Sequence, residues 1–398
     1  VPELTTTEKV EGNDVMRLCK KLAIAAASLA LMSSSAMAQS YSWPNNIPPD
    51  AKALMAPLPL TPTGQVVPGY PNGAPASSPD VLQFTPDQIA KLKAGNFTAG
   101  IVMHTMAAGW PLLQVQGIKQ TLAGFGIKVV AVTDAKFQPG TQIGDLEEMV
   151  ARKPSVIFSI PIDPKSESAA YEKAAAAGIK LVFMDNVPVG MTPGKDYVSV
   201  TASDNEKNAY FAAKQLADSM GGKGEVGVIT LVYDYYYSVY VRKVGALKAF
   251  AEYPGIKVDG VGTFTTPEGA YSVATAMMTA HPKLKGFFVA WDTPAEQVVA
   301  AAETLGRRVT ITTNDLAPDS ALFVARGQFL AVGSQRPFDQ GVAEAKSAAM
   351  ALLGEKVPPY IEVPTLRVKK LNLLTALQTV THQPPPHNVI NACNGKCF

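Results

Sequence analysis

From Thr98 onward the chain alternates short apolar runs with helical segments, and that alternation constrains its fold more than any other feature. The runs are GIVM, IKVVAV, SVIFSI, IKLVFM, DYVSV, EVGVITL, IKVDGVG, KGFFVA, RVTITT and FLAVG. Most are continuously apolar rather than alternating, which marks strands covered on both faces. Strand–helix alternation of that kind builds parallel sheets. The helix signals are local. Pro111 opens one helix, Ser203-x-x-Glu206 and Thr293-x-x-Glu296 read as capping boxes, and Gly178, Gly306, Gly327 and Gly354 stand where helices should stop. After IKLVFM, the stretch DNVPVGMTPGK reads instead as a loop. About ten such units exceed one ordinary open sheet, so the expected fold is α/β with two doubly wound parallel-sheet lobes.

The segments before this region read differently. Met16 opens a stretch with a positive start (Arg17, Lys20, Lys21), an apolar run from Leu22 to Met32 and the small-residue site Ala36-Met37-Ala38. The run is too short to span a bilayer. This predicts a secretory signal over 16–38, with 1–15 upstream of it and carrying no fold information. Residues 39–96 then hold an extended Pro-rich arm (WPNNIPPD, PLPLTPTG, PGYPNGAPASSP) and a short helix from Phe84 to Lys93, capped by Thr85 with Pro86 in its first turn. No later stretch is apolar enough for a membrane helix, so the mature chain is expected to be soluble and exported. Cys393 and Cys397 sit in the terminal CNGKC. An oxidising compartment would permit a small disulfide loop there, and the pair alone makes no metal site.

In doubly wound sheets, ligands bind beyond the carboxyl ends of the strands. Here those ends offer His104 with Trp110 in the following loop, Asp185-Asn186, the Tyr233–Tyr237 cluster with Arg242 beyond it, Trp291-Asp292, Asn314-Asp315, and Ser334-Gln335-Arg336-Pro337. Carboxylates accept, a guanidinium donates, and carboxamides do both, a set that suits the hydroxyls of a neutral polyol. Rings can cover the apolar faces of a sugar. Several of these residues have plainer readings. Asp185 and Asp292 could cap the next turn, Trp291 could be core, Trp110 a helix-start staple, Arg242 a surface ion pair, and His104 a satisfied core histidine.

From about Phe97 to Lys370 the chain resembles the type I periplasmic sugar-binding proteins, of the ribose- and galactose-binding kind. The resemblance is carried by Asp134-x7-Gln142, SIPID, AGIKLVFMDN, SVTASDN, the AHPKLKGFFVAWD region, TTNDLAPD and SQRPFDQG, in order and with matching spacing. It implies that Asp185 binds ligand hydroxyls and that Arg242 projects into a cleft. Asp292, Asp315 and Gln335 fall in or beside contact positions, and Trp110 and Phe264 where rings stack on the ligand. It implies three hinge crossings, near Ser203, near Gln335–Pro337 and near Tyr360–Pro364. The lobes would comprise 97–203 with 336–363, and 204–335 with 364–375, leaving 376–398 as a tail.

The chain departs from that pattern. Asn186 replaces a frequent Arg, Trp291 a frequent Asn, Ile160 another Asn, and Ala107 and Ala108 stand where a polar amide is common. The pocket trades hydrogen-bonding groups for ring surface. A smaller or less polar polyol, a deoxysugar or an aromatic compound is open beside a neutral sugar.

The function this implies is capture of a small solute and delivery to an ABC permease with its ATPase subunits. A ligand-sensing role through a chemoreceptor or sensor kinase is an alternative on the same fold. No cofactor or metal is expected, and a monomer is. Net charge is +2, which gives no case for nucleic acid or membrane insertion. A repressor would need a helix-turn-helix where the secretion signal stands. An enzyme is disfavoured because no G-x-S-x-G, H-E-x-x-H, P-loop or G-x-G-x-x-G motif occurs.

Overall fold

A computed structural model describes residues 47–65 and 73–398. The expected upstream segment (1–15) and signal (16–38) lie outside the described residues, as do 39–46 and 66–72 of the arm.

The first half runs α1 Pro49–Met55, β1 Ala76–Ser77, α2 Pro86–Ala94, β2 Thr98–Met103, α3 Gly109–Gly124, β3 Lys128–Asp134, α4 Pro139–Ala151, β4 Val156–Ser159, α5 Ser168–Ala176, β5 Lys180–Met184 and β6 Ser199–Ala202. The second runs α6 Asn205–Ser219, β7 Lys223–Leu231, α7 Tyr237–Ala251, β8 Gly255–Phe264, α8 Gly269–Ala280, β9 Leu284–Val289, α9 Asp292–Thr304, β10 Thr310–Asn314, α10 Pro318–Arg326 and β11 Phe329–Ser334. α11 Pro337–Leu352, β12 Tyr360–Glu362, β13 Leu366–Lys369, α12 Leu373–Thr381 and α13 His387–Cys393 close the chain. All ten apolar runs are strands.

They form two sheets. The first has the order β1-β12-β6-β5-β4-β2-β3 and is wholly parallel. The second has the order β13-β11-β10-β9-β7-β8, parallel except for the β11–β13 edge. Within each sheet five consecutive strands follow one pattern, β3-β2-β4-β5-β6 and β8-β7-β9-β10-β11, with the order reversing beside β2 and β7. That reversal opens a crevice at the carboxyl ends. The inner strands are buried along their length: every residue of β4 is buried, as are Phe287, Phe288 and Val289 of β9. Val102, Ile157, Phe183 and Tyr171 centre one core; Leu216, Val228, Phe250 and Phe288 centre the other.

The chain passes between lobes three times: from β6 into α6, from β11 into α11, and from β12 to β13. α6 packs on α7, β10 and β11, whereas α11 packs on α3, β5 and β6. The α3–α11 approach is close. A Cβ on Gly117 would sit 2.2 Å from the Phe338 carbonyl oxygen, so only glycine lets these backbones meet.

Local signals held in part. Thr85 and Gln88 form the capping box of α2. Gly178, Gly306, Gly327 and Gly354 take left-handed φ of 80°, 61°, 79° and 78° beyond their helices. The two other capping boxes are corrected. α6 is capped by Asp204, whose carboxylate accepts from the Lys207 N–H at 2.8 Å, because Ser203 still belongs to the crossing and the carboxylate is the stronger acceptor. α9 begins two residues earlier than the Thr293 box requires; Trp291 is its N-cap, and Asp292 Oδ1 takes the Thr293 N–H at 2.9 Å.

The described part of the arm is docked on the rest of the chain. α1 packs on β13, where Arg367 Nη2 donates to the Ala53 carbonyl at 2.7 Å. β1 pairs with β12, Ala76 opposite Tyr360, and Leu82 is buried against Ala343, Ile361 and Val363. A Pro- and Gly-rich segment makes few hydrogen bonds of its own, so edge pairing satisfies its amides. The tail is packed too. α12 runs across residue 375, Thr375 N–H donates to the Phe398 carbonyl at 3.1 Å, and Cys393 is bonded to Cys397. No helix among the described residues is long and apolar enough to cross a membrane.

Candidate ligand-binding cleft

β5 and β10 occupy equivalent places in the two sheets, and each is followed by an aspartate. Asp185 has φ 49° and Asp315 φ 68°. Asp is among the few L-residues that adopt this region readily, through its short polar side chain. Each N–H continues the sheet by one bond, Asp185 to the Thr201 carbonyl and Asp315 to the Gly333 carbonyl, both 2.9 Å.

The two carboxylates are joined by a buried chain of hydrogen bonds. Arg242, on the second turn of α7, donates through Nη1 to Asp315 Oδ2 (2.8 Å) and through Nη2 to Asp315 Oδ1 (3.2 Å). Its Nε donates to Asn205 Oδ1 (2.8 Å), and Nη1 also reaches the Ala290 carbonyl (3.0 Å). Gln335 Nε2 donates to Asp315 Oδ1 (3.2 Å). Gln340 Nε2 donates to Gln335 Oε1 (3.0 Å) and to Asp185 Oδ1 (3.4 Å). The path runs from the second lobe, through the β11–α11 crossing, into the first. Asn186 adds a second bridge: its Oδ1 accepts the Ser238 N–H at 3.2 Å, and its Nδ2 donates to the Pro161 carbonyl.

Rings form two groups. His104 lies 5.8 Å from Trp110, 5.6 Å from Phe137 and 6.2 Å from Tyr236, centroid to centroid. Tyr236 comes from the second lobe and the other three from the first. Trp291 stands edge-on to Phe264 at 5.1 Å. Burial drives the His104 pKa down to about 3, so the ring is neutral, and its buried Nδ1 has no hydrogen-bond partner among the described residues. Among the described residues the buried Trp110 Nε1 has none either. The lobes touch beside Trp110: a Cβ on Gly109 would fall 2.3 Å from Ala317 Cβ.

Burial pushes the Asp185 carboxyl up to about 7, with Arg242 pulling it down and Asp315 raising it. Asp292 is likewise pushed to about 7, by burial and then by Asp315. Near neutrality each populates both the protonated form, which donates, and the ionised form, which accepts. That is the versatility a hydroxyl partner demands.

The structure thus gathers Asp185, Asn186, Arg242, Asp315 and Gln335 into one connected set. Asp292, Trp291 and Phe264 lie beside it on the second lobe, and His104 and Trp110 join it through Tyr236. Ser203 is buried and its carbonyl accepts from Asn205 Nδ2; Pro337 opens α11. Sequence reasoning missed Asn205, Gln340 and Phe137. Gln340 carried a faint signal, since a carboxamide stands in α11 between apolar Phe338 and Ala343, on a buried face that also holds Glu344 and Ser347. Phe137 carried none, because its placement follows from left-handed φ at Lys136 and at Phe137 itself.

Two doubly wound lobes joined by three crossings, with strand-end polar groups meeting between them, define a two-lobed solute-binding protein. The chain belongs to the periplasmic binding protein family, whose domain model matches residues 99–356. It is 25% identical over 287 residues to the ribose import binding protein of Bacillus subtilis, covering 70% of this chain and 90% of that one. It is 27% identical over 221 residues to the D-ribose/D-allose-binding protein of Pseudomonas aeruginosa, covering 54% and 68%. Among solved structures, an ABC transporter periplasmic solute-binding protein from Actinobacillus succinogenes with bound D-allose superposes with TM-score 0.62 at 26% identity, over 71% of this chain and 99% of that one. A solute-binding protein from Agrobacterium vitis bound with α-D-tagatopyranose shares the fold at TM-score 0.64 and 23% identity, over 69% and 94%.

Proposed function

We propose that the chain is a periplasmic solute-binding protein that captures a small neutral sugar or polyol by hinge closure and passes it to an ABC import permease. The observation that carries this is the buried hydrogen-bonded path from Arg242 and Asp315 to Asp185, built from both lobes and the crossing between them. Closure brings such groups onto one solute and creates a surface that exists only when the lobes meet. Asp185, Asp292, Asp315, Arg242 and Gln335 address hydroxyls; Trp110, Trp291 and Phe264 cover C–H faces; the crossings at Ser203, Gln335–Pro337 and Tyr360–Pro364 bend. The role is binding rather than turnover, by a monomer exported through the 16–38 signal. The named sugars of the relatives support the ligand class.

A second reading, a less polar ligand, is favoured by the ring pairs and by Ile160, which is buried at its strand end where the family often carries Asn. A thermal-shift panel of D-ribose, D-allose, allitol, deoxysugars and aromatic acids decides between them. The first reading expects a rise of several degrees with a sugar or polyol; a response confined to aromatic acids replaces it with the second. Silence across the panel sinks both ligand classes.

A further inference from the structure

One short stretch of the arm meets all three crossings. Thr61 N–H donates to Glu362 Oε1 at 3.0 Å, and Leu58 N–H to the Thr365 carbonyl at 2.9 Å, so the two bonds hold opposite ends of the β12–β13 crossing. Lys207 Nζ, in the first turn of α6 beyond the β6 crossing, reaches the Pro59 carbonyl and Thr61 Oγ1 at 3.5 Å each, besides its ion pair with Asp204. Leu60 shares a groove of about 270 Å³ with Arg336 of the β11–α11 crossing and with Val363 and Pro364.

On either side of this stretch the arm is fastened to a different lobe. α1 is held on β13 of the second sheet by Arg367, which donates to the Ala53 and Ala56 carbonyls. β1 is a strand of the first sheet. Pro57, Pro59 and Pro62 fix φ within the stretch, and its far end is tied directly to β1, the Gly64 N–H donating to the Ala76 carbonyl (2.8 Å) and the Ala76 N–H to the Gln65 carbonyl (2.9 Å). Bending the hinge changes the backbone torsions of 362–366, so these attachments must strain or release when the lobes part.

We propose that residues 57–65 are a strap across the hinge that holds the lobes near the closed angle and opposes their opening. This rests on the hinge-closure reading and adds a restraint on it from outside the family-matched region. The strap grips backbone and crossing residues, none of them assigned to the solute, so it sets how far the lobes open and not which solute enters.

The test is small-angle X-ray scattering of the full chain, with and without D-allose, for the parent, Thr61→Pro, Arg367→Ala and the control Thr61→Ser, which keeps both its N–H and its hydroxyl. Far-UV circular dichroism checks the fold of each, and Arg367→Ala carries the measurement should Thr61→Pro fail to fold. The expected result is a larger radius of gyration and maximum dimension for Thr61→Pro and Arg367→Ala, with Thr61→Ser scattering like the parent. Expansion in the variants supports the strap even where D-allose does not compact the parent, an outcome that counts against the capture reading alone. Natively folded variants whose curves superpose on the parent overturn the strap and leave capture standing.

Discussion

Arg242 grips Asp315 end-on with both terminal nitrogens, 2.8 and 3.2 Å from the two carboxylate oxygens, with side chains only 4% and 11% exposed. Such a pair is costly to break from one side, because the abandoned charge stays buried. Arg242→Met is expected to lower unfolding free energy by about 3–5 kcal/mol. Arg242→Met with Asp315→Asn should recover part of that loss. Urea unfolding of the parent, Arg242→Met, Asp315→Asn and the double variant forms the cycle, and additive losses would mean the pair is not coupled.

Stability is expected to fall as pH rises from about 4 to about 7. Asp185 and Asp292 have native pKa values raised to about 7 from an ordinary 3.8, so the folded chain holds protons that the unfolded chain releases. Their contribution is complete below the unfolded value and lost as pH passes the folded one. The groups facing them are Arg242, Asp315 and Glu344 for Asp185, and Asp315 and Glu296 for Asp292. Asp292→Asn keeps an acceptor for the Thr293 N–H and should flatten the slope. An unchanged slope would place the titration elsewhere.

Gly109 and Ala317 meet across the lobes with no room for another carbon. Gly109→Ala should penalise the closed form by on the order of 1–3 kcal/mol, the usual cost of overpacking. Solute affinity would then drop while the melting temperature without solute stays near that of the parent. Ala317→Gly on the same chain removes the opposing carbon and should restore affinity, as calorimetric titration with whichever sugar shifts the melting point would report.

The Cys393–Cys397 bridge closes a loop with a sequence separation of only 4. Loop-closure entropy for so short a ring gives about 2 kcal/mol at most. Cys393→Ser is therefore expected to cost no more than that, measured as a modest shift of the urea midpoint. A loss of cooperative unfolding would mean the bridge holds far more than its own ring.

The ten main strands were legible because each is a continuous apolar run bounded by turn residues. β1, β12 and β13 were not: two to four residues at or next to a sheet edge are too few to show a period. The docking of the arm was equally hidden, since its Pro- and Gly-rich composition describes a chain without internal bonds and says nothing of the edges it can join. In the cleft, charged and aromatic strand-end residues announced themselves. Asn205 did not, and Gln340 did so only faintly, because their partners Arg242 and Asp185 come from other elements of the same lobe and sequence spacing cannot encode a contact 37 or 155 positions away.

Asp185 and Asp315 end equivalent strands with the same left-handed turn, so each half of the molecule contributes its own copy of one gripping element. On the proposed reading, solute preference is modular. A change beside one aspartate re-tunes half of the grip while its counterpart keeps the old solute partly held, which gives an ancestral chain a gradual route from one nutrient to another.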